Sequence, residues 1–284
     1  MSKDMKNLPE ISSFSKEQLE KVLDMAMDLK KNPDKYADAL KQKTLVMWFE
    51  KPSLRTRLSF ETGMTQLGGH AIYLDTGTTH KGKADLKDEI KCLSRFADIL
   101  MARVYEHRTI EDMVEAADVP VINGLSDLYH PCQAVADVMT VYEFAGKDAV
   151  VAYVGDGNNV CNSLINACKI LGIKINVATP ENMKPQTEPD FWTADPKEAV
   201  ADADVVYTDI WVSMGESDNK DTKNLEKYQV NEELLGDRYF MHCLPAVRGK
   251  EVTDVVMDSK KSLVFDQAEN RMHAQKAIML ELLT

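Results

Sequence analysis

Apolar positions along the chain follow two patterns that alternate. After Ser15 they recur at helical spacing, and Ser15 with Gln18 forms the signature of a helix capping box. Residues 43–50 (KTLVMWFE) instead form a short, continuous apolar run, the pattern of a strand buried on both faces. Similar runs and amphipathic stretches alternate to the end of the chain. This alternation predicts parallel sheets covered by helices on both faces.

The predicted strands fall into two series separated by a long helix over residues 131–144. The first series is 43–50, 69–75, 99–105 and 119–123. The second is 150–155, 174–178, 205–210, 239–244 and 263–265, with a loop at 180–196 and a C-terminal helix at 268–283. We therefore predict an α/β protein with two doubly wound parallel-sheet domains joined by the long helix. The predicted domains are residues 1–137 together with a returning C-terminal helix at 268–284, and residues 138–267.

Composition and charge narrow the class of protein. Lys and Arg number 34 against 46 Asp and Glu, so the formal net charge is −12, which argues against a general binder of nucleic acid or anionic membranes. A small anionic substrate is still possible, because the field inside a pocket is local. Five cysteines without CxxC spacing indicate neither a disulfide framework nor a zinc ribbon. No apolar run approaches the roughly 18 residues of a membrane span, and no apolar signal core follows Met1, so we expect a cytoplasmic protein.

Ligands of parallel sheets bind beyond the carboxyl ends of the strands, so the residues after each strand are the candidates for chemistry. Ser53 follows the first strand and is placed to cap a helix whose free N–H groups attract an anion. Arg55 adds a guanidinium suited to phosphate, whereas Arg57, two residues on, must point elsewhere. A capped helix with two solvated arginines is the alternative interpretation.

Polar side chains also lie at or after the carboxyl ends of two further strands of the first series. Arg103 lies in an otherwise apolar strand, where a charge is unusual unless paired, and an edge-strand ion pair is the alternative. His130 precedes Pro131, which suits the first position of a helix, so Gln133 falls in the first turn. The helix dipole would keep His130 neutral and able to donate a hydrogen bond to a carbonyl oxygen. A purely capping histidine is the alternative.

The second series opens with Gly155 and Gly157, half of a dinucleotide-binding fingerprint. Val160 stands where the third glycine belongs, which disfavours a dinucleotide dehydrogenase. Asn158 and Asn159 instead offer amides at the start of a helix. Farther along, Asp209 and Cys243 follow two more strands; the alternatives are a turn cap for the carboxylate and an inert buried thiol.

Together these motifs resemble the signatures of the carbamoyltransferase family, in order along nearly the whole chain. The motifs are Ser53-Leu54-Arg55-Thr56-Arg57, His130-Pro131-Cys132-Gln133, Asp209 with Ser213-Met214-Gly215, and His242-Cys243-Leu244-Pro245. The last two resemble the ornithine-specific branch of the family. The resemblance implies transfer of the carbamoyl group of carbamoyl phosphate to the side-chain amine of L-ornithine, which yields L-citrulline and phosphate, without metal or organic cofactor.

The resemblance also implies roles for individual residues. Carbamoyl phosphate is expected on Ser53, Leu54, Arg55, Thr56, His80, Arg103, His130, Gln133, Cys243, Leu244 and Arg271. Ornithine is expected on Asn159, Asp209, Ser213 and Met214. The catalytic residues are expected to be Arg103, His130, Asp209 and Cys243, with Cys243 as the proton acceptor.

The resemblance further implies a homotrimer with shared sites, in which His80 reaches a neighbouring subunit and stands where relatives often carry Gln. Leu54 replaces a common Thr, and the short loop at 180–196 departs from the family pattern. A carbamoyltransferase for putrescine or an N-acylated ornithine remains an alternative, as does an inactive binding protein on the same fold. An aspartate carbamoyltransferase is disfavoured, because the second domain offers few basic groups for a dicarboxylate.

Overall fold

The computed structural model describes residues 6–77, 84–212 and 222–284. The chain divides into two compact units: unit 1 holds Met1–Val135 and Arg271–Thr284, and unit 2 holds Ala136–Asn270. The sequence analysis predicted the corresponding boundaries after residues 137 and 267. Within the described ranges, no helix combines the length and apolarity needed to cross a membrane.

Unit 1 is built on a four-stranded parallel sheet of order β2-β1-β3-β4. Its strands are β1 (Thr44–Phe49), β2 (His70–Asp75), β3 (Ile99–Arg103) and β4 (Val121–Leu125). Its helices are α1 (Lys16–Lys31), α2 (Leu54–Gln66), α3 (Leu86–Leu93) and α4 (His107–Ala116), with 3-10 turns at Ile11–Ser13 and Pro33–Tyr36. Helix α5 (Pro131–Phe144) begins in unit 1 and continues into unit 2.

Unit 2 contains a five-stranded parallel sheet of order β7-β6-β5-β8-β9. Its strands are β5 (Val151–Val154), β6 (Ile175–Ala178), β7 (Phe191–Thr193), β8 (Val205–Thr208) and β9 (Tyr239–His242). Its helices are α6 (Asn159–Leu171), α7 (Pro196–Val200), α8 (Glu232–Leu235) and α9 (Asp254–Met257), with 3-10 turns at Glu181–Met183 and Lys223–Tyr228. Helix α10 (Val264–Leu283) starts in unit 2, and its residues from Arg271 onward belong to unit 1.

The local signals in the sequence explain most of these elements. The Ser15 hydroxyl accepts from the N–H of Gln18 at 3.2 Å, and the Gln18 side chain accepts from the N–H of Ser15 at 2.9 Å, so the predicted capping box starts α1. Strands β3, β5, β6 and β8 are buried along their whole length, as their continuous apolar runs predicted.

Two predictions about unit 2 were wrong. The predicted strand at 263–265 is the start of α10, and Ser262 makes only an isolated bridge with Phe240. Three apolar residues are too few for periodicity to separate a strand from a buried helical turn. The predicted loop at 180–196 contains β7, which pairs with β6. This edge strand has only three residues, too few to form a recognisable apolar run, and the prolines around it are typical of a loop.

Candidate active site

In unit 1, the turn predicted to bind an anion is the N-terminus of α2. The Ser53 side chain caps this helix by accepting from the N–H of Thr56 at 3.3 Å. The first turn holds Leu54, 68% exposed, followed by Arg55, which is partly buried. The N–H groups of the first turn and the positive end of the helix dipole therefore lie beside a guanidinium, a combination that favours a bound anion.

Arg57 lies on a different side of α2, as its spacing from Arg55 predicted. Its Nε donates to Glu61 at 2.9 Å, one turn along the helix. Its guanidinium also stacks over the ring of Tyr73 in β2, 4.0 Å from the ring centroid. Arg57 therefore ties α2 to the edge strand, and we assign it a structural role.

Arg103 occupies the last position of β3, where the pairing with β4 becomes irregular. Ala102 pairs with Asn123, but Arg103 pairs with Leu125, so the register shifts between Ala102 and Arg103. A shift of this kind re-aims the side chain at the end of a strand. Arg103 is only 2% exposed, so its charge is buried at the carboxyl end of the sheet.

Arg271 of α10 connects two helix N-termini of unit 1. One of its terminal nitrogens donates to the side-chain oxygen of Gln133 in the first turn of α5, and the other donates to the hydroxyl of Thr56 at 3.0 Å. All three side chains are buried. The guanidinium thus fixes Gln133 against Thr56, although the three residues are far apart in sequence.

His130 is buried at the start of α5, with its carbonyl oxygen accepting from the N–H groups of Gln133 and Ala134. Burial lowers the pKa of His130 well below its usual range, and the charges of Arg271, Arg103 and Lys51 lower it further. The ring is therefore neutral, as predicted. The sequence argument attributed this to the helix dipole, whereas burial and three cations account for it in the structure.

Lys51 is a residue of this cluster that the sequence analysis missed. It follows β1, is 7% exposed, and its ammonium lies 5.2 Å from the ring centroid of Tyr105. Burial and then the charge of Arg103 lower the pKa of Lys51 to about 8. The sequence could have indicated Lys51, because it follows a buried strand closely and a positively charged site was already expected at the carboxyl end of that strand.

In unit 2, Asp209 joins the ends of two strands. Its Oδ1 accepts from the thiol of Cys243 at 2.9 Å, and its Oδ2 accepts from the side-chain amide of Asn158 at 2.7 Å. Asp209 and Cys243 are both buried, while Asn158 also caps α6. The structure thus brings together the carboxylate and the thiol that the sequence singled out. It also places the side-chain amide of Asn158 against the carboxylate, a contact that the sequence analysis did not predict.

Cys243 is a protonated thiol in this environment. Burial raises the pKa of Cys243 well above its usual range, and the negative charge of Asp209 raises it further. The thiol proton is directed to Asp209, and the hydroxyl of Tyr207 donates to the sulfur, which opposes part of this rise in pKa.

His242 and Glu251 shape the segment that carries Cys243 and Leu244. The N–H of Leu244 donates to Nδ1 of His242 at 2.9 Å, and Nε2 of His242 lies 3.2 Å from Oε1 of Glu251. Leu244 has a φ of 57°, in the left-handed region that costs energy for a side chain of this kind. The buried His242–Glu251 pair therefore supports a strained turn, a role that no signal in the sequence indicated.

Asp209, His242 and Cys243 also offer a carboxylate oxygen, an imidazole nitrogen and a sulfur within 4.8 Å of one another, close enough to hold a metal ion. However, Nδ1 of His242 already accepts from Leu244 and its Nε2 faces Glu251. An imidazole binds a metal through a free nitrogen lone pair, so this ring would have to give up one of these contacts. We interpret the three residues as two separate hydrogen-bonded pairs, Cys243 with Asp209 and His242 with Glu251.

Gly157 explains the incomplete dinucleotide fingerprint. A Cβ at this position would lie 2.3 Å from the nitrogen of Pro185 and 2.4 Å from the carbonyl oxygen of Met183. The chain's own backbone therefore requires a glycine here, so a bound pyrophosphate is not needed to explain it.

The predicted site residues His80, Ser213 and Met214 lie outside the described residues.

Comparisons with known proteins agree with this assignment of chemistry to the two units. Residues 6–143 match the aspartate/ornithine carbamoyltransferase carbamoyl-P binding domain, and residues 147–282 match the Asp/Orn binding domain of the same family. The chain is 49% identical over 300 residues to an ornithine carbamoyltransferase of Archaeoglobus fulgidus, covering 98% of each chain.

Solved structures are also similar. Ornithine carbamoyltransferase from Pyrococcus furiosus superimposes with a TM-score of 0.91 at 45% identity, covering 96% of each chain. The enzyme from Thermus thermophilus gives a TM-score of 0.90 at 43% identity, covering 98% of this chain and 99% of that one. The chain belongs to the aspartate/ornithine carbamoyltransferase family. It is accordingly a transferase, and the relatives named here are ornithine carbamoyltransferases.

The thiol of Cys243 should resist alkylation by iodoacetamide at pH 7.5, whereas the exposed Cys92 should react. Asp209→Asn removes the negative charge beside the sulfur, so we expect the pKa of Cys243 to fall and its alkylation at pH 8–9 to become faster. Peptide mass spectrometry measures both rates. Asp237→Asn, which changes an exposed carboxylate, is the control. Equal reactivity of Cys243 and Cys92, or no effect of Asp209→Asn, would contradict this account.

Proposed function

We propose that this chain transfers the carbamoyl group of carbamoyl phosphate to the side-chain amine of L-ornithine, giving L-citrulline and phosphate. The observation that carries the proposal is the contrast between the strand ends of the two units. Unit 1 gathers Arg103, Arg271 and Lys51 around His130, which suits an anion with a carbonyl group. Unit 2 presents a carboxylate–thiol pair, which suits an amine.

The phosphate end of carbamoyl phosphate is assigned to the N-terminus of α2. The Ser53 and Thr56 side chains, Arg55 and the backbone of Leu54 supply donors in one turn. The oxygen of Thr56 already accepts from Ser53 at 3.1 Å and from Arg271 at 3.0 Å. Its own proton is therefore available to a phosphate oxygen. His80 is assigned to the same substrate by resemblance alone.

The carbonyl end is assigned to Arg103, His130, Gln133 and Arg271. Attack on the carbonyl carbon places negative charge on the carbonyl oxygen before the bond to phosphate breaks. Preorganised donors aimed at that charge usually supply the largest part of catalysis in acyl transfer. A neutral His130 can donate one N–H without first losing a proton, and burial of Arg103 and Arg271 strengthens their attraction for the charge.

The amine end is assigned to Asp209, with Asn159, Ser213 and Met214 for the amino-acid portion of ornithine. Leu244, together with Cys243, is assigned to the carbamoyl group. The Asn158 amide holds one oxygen of Asp209, which leaves the carboxylate oriented for a cationic amine.

Proton removal follows from the state of Cys243. Only the free base of ornithine is nucleophilic, so a proton must leave the nitrogen. A protonated thiol cannot be the first acceptor at neutral pH. We infer instead a relay in which the amine proton moves to the sulfur while the thiol proton moves to Asp209. Phosphate departs with the electron pair of the broken carbon–oxygen bond.

A panel of amines with carbamoyl phosphate tests the proposed function. We expect ureido product and phosphate in equal amounts, and the highest kcat/KM with L-ornithine, because the carboxylate–thiol pair is joined by groups suited to an amino acid. Product is measured by a colorimetric ureido assay. A higher kcat/KM with putrescine or N-acetylornithine would overturn the substrate assignment. Failure of every amine would favour an inactive binding protein.

We also propose that the protein is a cytoplasmic homotrimer with shared active sites. An exposed apolar group in unit 1 supports association: Leu54 is 68% exposed and Leu58 51% exposed on α2, and Ile72 lies on the edge strand β2. The five cysteines are all free, which suits a reducing compartment.

Light scattering should give three times the chain mass of 31.9 kDa, or about 96 kDa. Mixing inactive His80→Ala and Arg55→Ala proteins tests the shared site, because subunit exchange would create some sites that carry both natural residues. We expect activity to return in the mixture. A monomer, or no recovery despite demonstrated exchange, would refute the proposal.

A further inference from the structure

The loop between β4 and α5 is organised around the hydroxyl of Ser126, which is fully buried. This oxygen accepts from the N–H of Tyr129 at 3.2 Å and from the side-chain amide of Asn123 at 3.3 Å. It also lies 2.9 Å from Nδ1 of His107 and 3.4 Å from the carbonyl oxygen of Tyr129. Since Tyr129 directly precedes His130, these contacts determine where α5 begins.

The contacts of Ser126 indicate which ring nitrogen of His107 carries the proton. A hydroxyl has one proton and two lone pairs, and Tyr129 and Asn123 donate to the lone pairs. The nitrogen of the Asn123 amide also donates to the carbonyl oxygen of Pro9 at 2.8 Å, and its second proton lies nearer to Ser126, at 3.3 Å, than to the carbonyl oxygen of Tyr129, at 3.4 Å. The Ser126 proton therefore points to the nearest acceptor, Nδ1 of His107. In this arrangement that nitrogen is unprotonated, with the ring proton on Nε2.

The surroundings of His107 hold it against both ends of the loop. Its backbone N–H donates to the Asp127 side chain at 2.7 Å, and its ring packs edge-on against Tyr129 with centroids 5.1 Å apart. Burial lowers the pKa of His107, outweighing the opposing charges of Glu111 on α4, Glu10 in the N-terminal segment and Asp127 in the loop.

We propose that His107 is a positioning residue: its neutral ring accepts the Ser126 proton, fixes the loop 126–129 and so sets His130 and Gln133 for the carbonyl group. Protonation converts Nδ1 into a donor, and two donors then face each other. The Ser126 proton must then turn to the carbonyl oxygen of Tyr129, 3.4 Å away, and the Ser126 oxygen accepts from the ring in place of the Asn123 amide, which frees the loop from β4. The inference rests on the proposed function, because it concerns the same substrate end.

Two substitutions separate the hydrogen bond from the volume of the ring. His107→Asn puts an amide oxygen near the place of Nδ1 but cannot be protonated, whereas His107→Leu removes the acceptor. At pH 7.5 we expect carbamoyl phosphate, titrated by calorimetry without amine, to bind His107→Leu about tenfold more weakly and His107→Asn with most of the natural affinity. His70→Asn, at the exposed start of β2, is the control.

The pH dependence supplies a measurement that a purely structural role would not affect. Because the folded-state pKa is lowered, the neutral form is complete above about pH 6.5 and is lost on acidification below it. The affinity ratio of His107→Asn to the natural protein should therefore rise between pH 6.5 and 5, with titration of the ligand cancelling in the ratio. A constant ratio, or natural affinity in His107→Leu, would overturn the proposal.

Direct observation of the ring avoids any dependence on variants or turnover. In the natural protein labelled with ¹⁵N-histidine, the His107 resonances at pH 7.5, assigned from their loss in His107→Asn, should show a bare Nδ1 and a protonated Nε2. A proton on Nδ1 would overturn this inference even if the amine panel confirmed citrulline formation. Conversely, the expected tautomer with no ureido product would leave the hydrogen-bond arrangement intact and refute the proposed function.

Discussion

The chemistry of unit 1 depends on positive charge concentrated in a buried place. Arg103 and Arg271 are 2% and 3% exposed, and both lower the pKa of His130. Burying a cation is costly unless its donors are satisfied, and Arg271 satisfies two of its donors with the neutral oxygens of Gln133 and Thr56. Such an arrangement keeps its attraction for an added anion. The helix N-termini of α2 and α5 contribute partial charge of the same sign.

Unit 2 also places its chemical groups at the carboxyl ends of parallel strands, but the charge there is negative. Strands β8 and β9 end side by side, and Asp209 and Cys243 follow them, so the parallel register brings a carboxylate and a thiol within 2.9 Å. Burial, and then the negative charge of Asp209, keep the thiol protonated, and the carboxylate directs its proton. One sheet thus ends in groups for an anion and the other in groups for an amine. This division is the physical basis of the proposed two-substrate reaction.

The sequence predicted what depends on local pattern and strand order. Capping by Ser53 and the separate directions of Arg55 and Arg57 follow from spacing along a helix, and the nearness of Asp209 and Cys243 follows from parallel topology. Contacts that rest on tertiary packing were not predictable, such as the hydrogen bond from Asn158 to Asp209 and the hydrogen-bonding of His107 to Ser126. The 263–265 segment was mistaken for a strand because three apolar residues carry no usable period.

The division of charge between the units is tested most directly by titrating carbamoyl phosphate in the absence of amine. Arg55→Ala should weaken binding by about 10- to 150-fold, the loss of one charge-assisted contact, while Arg57→Ala and Asp209→Ala should change it little. Steady-state kinetics should show the converse for Asp209→Ala, a large rise in the ornithine KM. If Asp209→Ala abolishes carbamoyl phosphate binding while the ornithine KM is unchanged, the two units have been assigned to the wrong substrates.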